Sequence, residues 1–294
     1  MDALLKTGKH TITALTRVGS KGEFPEGVKV VEVDYDNEES IVAALKDQQF
    51  LAITLSVRAP PNTHSNIVKA AIKAGVKYIM PNAYGGDLFN PLLADEPYAK
   101  ANVGKIREIT ELGGDYIMMV CGFWYEWSLA LGEYWYGIDI RNKKVVFYDD
   151  GKTKIKSSTW EQCGRAFAAL LSLPESGASP SVADFKNKTV GLESFEVSQR
   201  DMLDSLHRVL GDTDADWTIT YEPTAERYAA GLARFQKGEM TGFAQALYAR
   251  GFYNDGTGLH STSNDVLGLH LEDLDACTKN AVEMVKSGWN PLGL

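Results

Sequence analysis

Several features of common protein classes are missing from this chain. No Gly-x-Gly-x-x-Gly triplet stands between a strand and a helix: Gly19 and Gly22 follow a strand but open no helix, and Gly256 and Gly258 sit in a polar loop. The usual glycine turn that cradles a pyrophosphate is therefore not spelled out. The three cysteines, Cys121, Cys163 and Cys277, are far apart, form no Cys-x-x-Cys and are odd in number. That excludes a complete disulfide framework and structural zinc, and points to a reducing compartment. Five histidines never pair at metal-ligand spacing, so no metal is expected. No apolar run approaches the ~18 residues of a membrane span. The opening MDALLKTGKH has neither an apolar h-region nor a small-residue cleavage site, so a cytoplasmic protein is expected. Thirty basic against thirty-nine acidic side chains leave a net charge of −9. Nucleic acid is disfavoured as a partner, although a local basic patch can still hold one phosphate.

What is present describes an ordinary globular chain. Its 294 residues, 44% hydrophobic and 23% charged, suit one large domain or two smaller ones. Strand-like and helix-like segments alternate in the first half. TITALT at 11–16 and VKVVEV at 28–33 read as strands, and EESIVAALKDQ after 37 as a helix. FLAITLSV at 50–57 is a near-continuous apolar run, as in a parallel strand covered on both faces. A helix follows Pro60-Pro61 and stops at Gly75. The strand VKYIM at 76–80, a helix over 97–112 and the strand DYIMMVC at 115–121 complete the series. This order predicts a doubly wound α/β fold with a parallel, Rossmann-like sheet over 1–121. Residues 122–294 read as a smaller α+β substrate region, partly interleaved with the first domain. It holds the aromatic stretch GFWYEWSLALGEYWYG, a hairpin VVFYDDGKTKIK closed by Asp-Asp-Gly, and a polar loop at 254–264 containing His260.

In such a sheet, ligands bind beyond the carboxyl ends of the strands. Thr16 and Arg17 end the first observed strand. An arginine there pairs with the ribose 2′-phosphate of NADP, with Lys21 assisting, or is a solvated surface residue. Asp34 and Tyr35 after the second strand either edge an adenine or belong to a helix start, where Asp36 is the expected cap beside Asn37. Ser56 and Val57 follow the third strand and are placed beside a nicotinamide, and Pro81 and Asn82 open a turn-rich stretch after the fourth. Tyr84 is either a packing residue or a substrate contact. Lys105 borders the apolar stripe Ile106, Ile109 and Leu112, where it orients a ribose, shuttles a proton or is merely solvated. Tyr148-x-x-x-Lys152 has the spelling of a dehydrogenase pair but falls in the expected hairpin, outside any helix. Phe123, Trp124 and Tyr125 wall an apolar substrate pocket or pack the core.

ITALTR at 12–17, VVEVDYDNEESIVAAL at 30–45, AGVKYIMPNAYG at 74–85, MVCGFWYEWSL at 119–129 and DDGKTKIKSSTWEQCGRAFAALLSLP at 149–174 share an order and spacing with a known group. The chain resembles the NmrA-like and isoflavone-reductase-like proteins, a branch of the atypical short-chain dehydrogenases, and is most similar to fungal oxidoreductase-type members. The resemblance implies an NADP-dependent oxidoreductase acting on a small, aromatic or polyketide-like secondary metabolite. It places Thr16 and Arg17 at the adenosine phosphate, Asp34 and Tyr35 at adenine, and Ser56, Val57, Pro81 and Asn82 at nicotinamide. It places Tyr84, Phe123, Trp124 and Tyr125 around the substrate. The family's functional lysine carries over to Lys105, although the usual spacing before Arg107 falls on Val103. The alternative is a non-catalytic NAD(P)-sensing regulator that binds a protein partner. Family members open with a strand and a glycine-rich turn, whereas this sequence begins in the helix that follows. The expectation is therefore a sheet without its first strand, open between the strands at 11–16 and 50–57, in a chain truncated from a longer protein.

Overall fold

The computed structural model describes residues 1–56 and 59–293. Its first half runs α1 (Asp2–Thr7), β1 (Ile12–Arg17), β2 (Val28–Val33), α2 (Glu38–Leu45), β3 (Phe50–Ala52), α3 (Thr63–Lys73), β4 (Tyr78–Met80), α4 (Pro97–Glu111) and β5 (Ile117–Val120). Next come β6 (Phe123–Trp124), α5 (Tyr125–Ala130), α6 (Glu133–Tyr136), β7 (Ile138–Asp139), β8 (Lys144–Tyr148), β9 (Ile155–Ser158) and α7 (Trp160–Ser172). The chain closes with β10 (Lys188–Gly191), β11 (Phe195–Val197), α8 (Gln199–Leu210), β12 (Thr218–Glu222), α9 (Thr224–Gln236), α10 (Met240–Gly251), α11 (Asn264–Leu267) and α12 (Leu274–Lys286).

Two compact units form. The first gathers Met1–Val120, Gly164–Gly191 and Ser263–Leu269. Its strands all pair in parallel, in two ladders. One is β2–β1, in register from Ile12 opposite Val28 to Arg17 opposite Val33. The other is β3–β4–β5–β10, with β4 joined to β5 by a bridge between Ile79 and Tyr116. Among the described residues no backbone pairing joins β1 to β3, so the gap expected between them is open. Helices cover both faces. Alternate strand residues point to opposite sides: Leu51 packs into a cluster with Ile41 and Leu45 of α2 and Val68 and Ala71 of α3, while Phe50 meets Phe167 of α7 edge-on at 5.8 Å. Leu15 of β1 joins the same α2–α3 cluster, so helix packing spans the gap that hydrogen bonds do not. The cap of α2 is Asn37, whose Oδ1 accepts from Glu39 N and Ser40 N. That corrects the expectation for Asp36, whose carboxylate instead accepts from Asn62 Nδ2 at 3.4 Å.

The second unit comprises Cys121–Cys163, Leu192–Thr262 and His270–Leu294, with Leu294 outside the described residues. It holds two three-stranded sheets, β11–β9–β6 and β12–β8–β7, and a core rich in rings: Tyr125, Tyr136, Phe147, Tyr148 and Phe252. The expected hairpin over 145–156 does not form, because β8 and β9 lie in different sheets. The turn residues are otherwise engaged. Asp149, at φ 52°, donates its N–H to Glu222 O, and its carboxylate accepts from the N–H and hydroxyl of Thr224 at 3.0 and 2.6 Å. The Asp-Asp-Gly run therefore clamps the β12–α9 junction instead of folding β9 back. The segment TVGLESF likewise divides into β10 of the first unit and β11 of the second.

Candidate functional site

Parallel strands deliver their carboxyl ends to one edge, and the residues that follow them build a polar rim on the first unit. Arg17 closes β1 and is exposed, with half-buried Thr16 before it. Its guanidinium lies close to Tyr35. Burial lifts the Tyr35 phenol above its ordinary pKa, and the arginine charge partly offsets that rise. The Tyr35 hydroxyl donates to Leu15 O at 3.1 Å, and the Tyr35 carbonyl accepts from Asn66 Nδ2 at 2.9 Å. The first bond anchors the tip of the ring on β1, and the second anchors the Tyr35 backbone on α3. Asp34 is exposed beside it, and its carboxylate accepts from Asp36 N at 3.0 Å. Lys21 is exposed in the loop before β2. Asn62 and Asn66, one turn apart at the start of α3, bind the loop after β2. They tie the rim of one ladder to the helix that follows the other.

A second group of rim residues follows β3 and β4. Asn82 Nδ2 donates to Leu55 O at 3.0 Å, which fixes the loop containing buried Pro81 against the chain just before exposed Ser56. Val57 lies outside the described residues. Tyr84 is half-buried with its hydroxyl turned away from solvent, and Gly85 bridges to Val120. Thr16, Arg17, Asp34 and Tyr35 thus form one cluster, and Ser56, Pro81 and Asn82 another.

The helix α4 presents two different faces. Lys105 is exposed and stands toward α3, where its charge helps hold the His64 imidazole below its ordinary pKa. Burial is the larger cause there, and Glu108 Oε2 sits 3.6 Å from His64 Nδ1. Val103, two residues earlier and so about 200° round the helix, lines a half-open recess of about 370 Å³ instead. The recess is walled by Leu88, Phe89, Pro91 and Leu93 opposite α4. Lys105 is not among its lining residues. Sequence reasoning missed His64, the Asn62–Asn66 pair and this recess. The asparagines were findable, since two amides one turn apart at the start of a helix form a hydrogen-bonding comb. The recess was not, because the loop 86–96 carries no periodicity.

The aromatic candidates belong to the second unit. Tyr125 is wholly buried, with its hydroxyl 2.6 Å from Thr278 Oγ1, and burial drives its pKa far upward. Its ring is packed core, not a wall open to a ligand. Phe123 stacks on Tyr248 at 4.0 Å and Trp124 meets Trp127 edge-on at 5.9 Å; both are half-buried. His260 Nε2 lies 2.9 Å from Leu192 O. Tyr148, of the discounted Tyr-x-x-x-Lys spelling, donates its hydroxyl to Trp135 O beneath the Arg227 guanidinium. Among the described residues no group of His, Cys, Asp or Glu could hold a metal, and no helix is long and apolar enough to cross a membrane.

Residues 1–118 match the NAD(P)H-binding family. The oxidoreductase aprR of Aspergillus flavus is 24% identical over 285 residues, covering 94% of this chain and 91% of that protein. An isoflavone reductase crystal structure superposes with a TM-score of 0.71 at 20% identity, covering 96% of this chain and 94% of the other. AtPrR2, solved with NADP+ and (+)pinoresinol, gives 0.73 at 19% identity over 95% and 92% of the two chains.

Proposed function

On the premise that residues 1–118 are an NAD(P)H-binding domain and that the whole chain carries the isoflavone-reductase-like fold, we propose an NADP-dependent oxidoreductase acting on a small aromatic metabolite. The match of residues 1–118 to the NAD(P)H-binding family, and the likeness of the chain to the oxidoreductase aprR and to AtPrR2, support this reading. The observation that carries the choice of NADP is Arg17. It ends β1 in the open, beside the Tyr35 ring, whose hydroxyl is anchored on Leu15 O, and the neighbouring Gly19 has nothing within 4 Å of where a Cβ would stand. A cation, an aromatic ring and open space together fit an adenosine bearing a 2′-phosphate.

The bound nicotinamide supplies a hydride, and the chain's own residues position and enclose the reactants. Arg17, with Lys21 nearby, pairs with the 2′-phosphate, and Thr16 lines the same strand end. Asp34 and Tyr35 flank the adenine. Ser56, Pro81 and Asn82 flank the nicotinamide half, where the Asn82–Leu55 bond sets the height of the loop. Lys105, turned toward α3, serves as a ribose-holding cation. The recess beside Val103, next in sequence to the Tyr84 loop, takes the apolar body of the substrate and excludes water from it.

Calorimetric titration of the chain with NADPH and NADH tests the cofactor assignment. The expected result is tighter binding of NADPH, with the preference lost in Arg17→Ala, since a charge-assisted phosphate contact contributes about 1.5–3 kcal/mol. Equal affinities in the unaltered chain, or a preference that survives Arg17→Ala, would overturn it.

A further inference from the structure

The recess on α4 is mostly apolar; its polar lining is one amide, Asn90, whose Oδ1 accepts from Leu92 N at 3.0 Å, and two cations. Lys100, Val103, Gly104 and Arg107 all line it, and their spacing of three, four and seven residues puts them on one helix face. No acidic residue lines it, in a chain whose net charge is −9. Lys100 reaches Asp95 at 3.2 Å, but the Asp95 side chain is fully exposed, so solvent weakens that pair. Arg107 enters no ion pair among the described residues. Between the two cations Gly104 leaves the floor open, for a Cβ there would meet nothing within 4 Å. Phe89 supplies an aromatic wall and is itself held by stacking on Tyr116 at 6.1 Å.

We propose that this recess binds an aromatic monocarboxylate, its ring between Phe89 and Val103 and its carboxylate paired with the Arg107 guanidinium. The volume suits a two-ring acid, and the planar fork of an arginine matches a carboxylate through two parallel hydrogen bonds. A neutral ligand of the same shape would fill the apolar walls but make no charge-assisted pair with the exposed guanidinium. The inference rests on reading the recess as the substrate's place, and it narrows that substrate to an acid. Its test reads binding without cofactor, so failure of turnover and failure of acid recognition are separate results.

The probes are naphthalene-2-carboxylate and its primary amide, which are nearly identical in shape and differ in charge. In titration calorimetry at low salt the acid is expected to bind at least tenfold tighter than the amide. Arg107→Gln is expected to erase that ratio while leaving amide binding in place. Gly104→Leu fills the floor and is expected to abolish binding of both, with an unfolding midpoint no lower than that of the parent, because the site has room and leucine favours helix over glycine. Failure of either probe to bind the parent chain overturns the proposal. So does equal binding of acid and amide, an acid preference that persists in Arg107→Gln, or unchanged binding in Gly104→Leu.

Discussion

Glu126 is a carboxyl that folding places where its charge is disfavoured. It is 7% exposed; Trp160 N donates to Oε1 at 3.1 Å, and Oε2 has no hydrogen-bond partner among the described residues. Burial raises its pKa, and the charges of Glu272 and Glu161 raise it further. A carboxyl whose folded pKa exceeds the unfolded value of 4.5 contributes stability that is present below pH 4.5 and lost as pH rises through the folded value. Glu126→Gln keeps an acceptor for Trp160 N and removes the charge. It is expected to stabilise the protein at pH 7 by about 1 kcal/mol, the two denaturation curves converging toward pH 4. His64 has the opposite sign: its folded pKa lies below 6.5 through burial, so its contribution is present above that pH and lost as pH falls. His64→Leu should flatten the fall in unfolding midpoint between pH 7 and 5; an unchanged slope would contradict this account. Neither residue was legible in the sequence, because burial of a lone Glu or His depends on neighbours distant along the chain. Arg17 and Tyr35 were legible, since position at a strand end is a local property that alternation reveals.

At the scale of elements, the same distinction decides what a sequence discloses. β1, β2 and α3 follow closely from β-branched alternation and from Pro60-Pro61 and Gly75 as boundaries. The hairpin over 145–156 was misread because a turn signal states only that the chain bends, and Asp149 spends its hydrogen bonds on Glu222 and Thr224. The α9–α10 pair shows an element-level constraint that composition hides. An added Cβ on Gly231 would stand 2.6 Å from Ala246 N, and one on Gly242 would stand 2.5 Å from Phe235 N. The two helix backbones therefore touch, and no side-chain rearrangement can make room. Gly242→Ala is expected to cost about 2–3 kcal/mol as overpacking, read as a lowered urea midpoint. Gly104→Ala in α4, where a Cβ meets nothing, should instead gain roughly 0.5–1 kcal/mol from helix propensity. Similar effects at the two glycines would show that backbone contact is not the cause.

Over the whole first unit, the open edge between β1 and β3 divides stability unevenly. The β3–β4–β5–β10 ladder is knit by backbone hydrogen bonds, and β4 and β5 are buried at every residue. The β2–β1 ladder is half-exposed and is attached through Leu15 against α2 and α3 and through the Asn62 and Asn66 side-chain bonds. Local opening of β1 and β2 breaks few buried contacts, whereas opening β5 exposes the centre of the sheet. Native-state hydrogen exchange is expected to protect Ile79, Met119 and Val120 at least tenfold more than the amides of Thr13–Leu15 and Val30–Glu32. If the adenosine half of the cofactor sits on Arg17 and Tyr35, its binding must order this weaker ladder. NADPH should then raise protection in β1 and β2 more than in β5, because a ligand stabilises only the states that bind it. Uniform protection across both ladders would mean that helix packing alone makes the sheet one cooperative body. A cofactor effect confined to β5 would place the adenosine elsewhere than at the tip of β1.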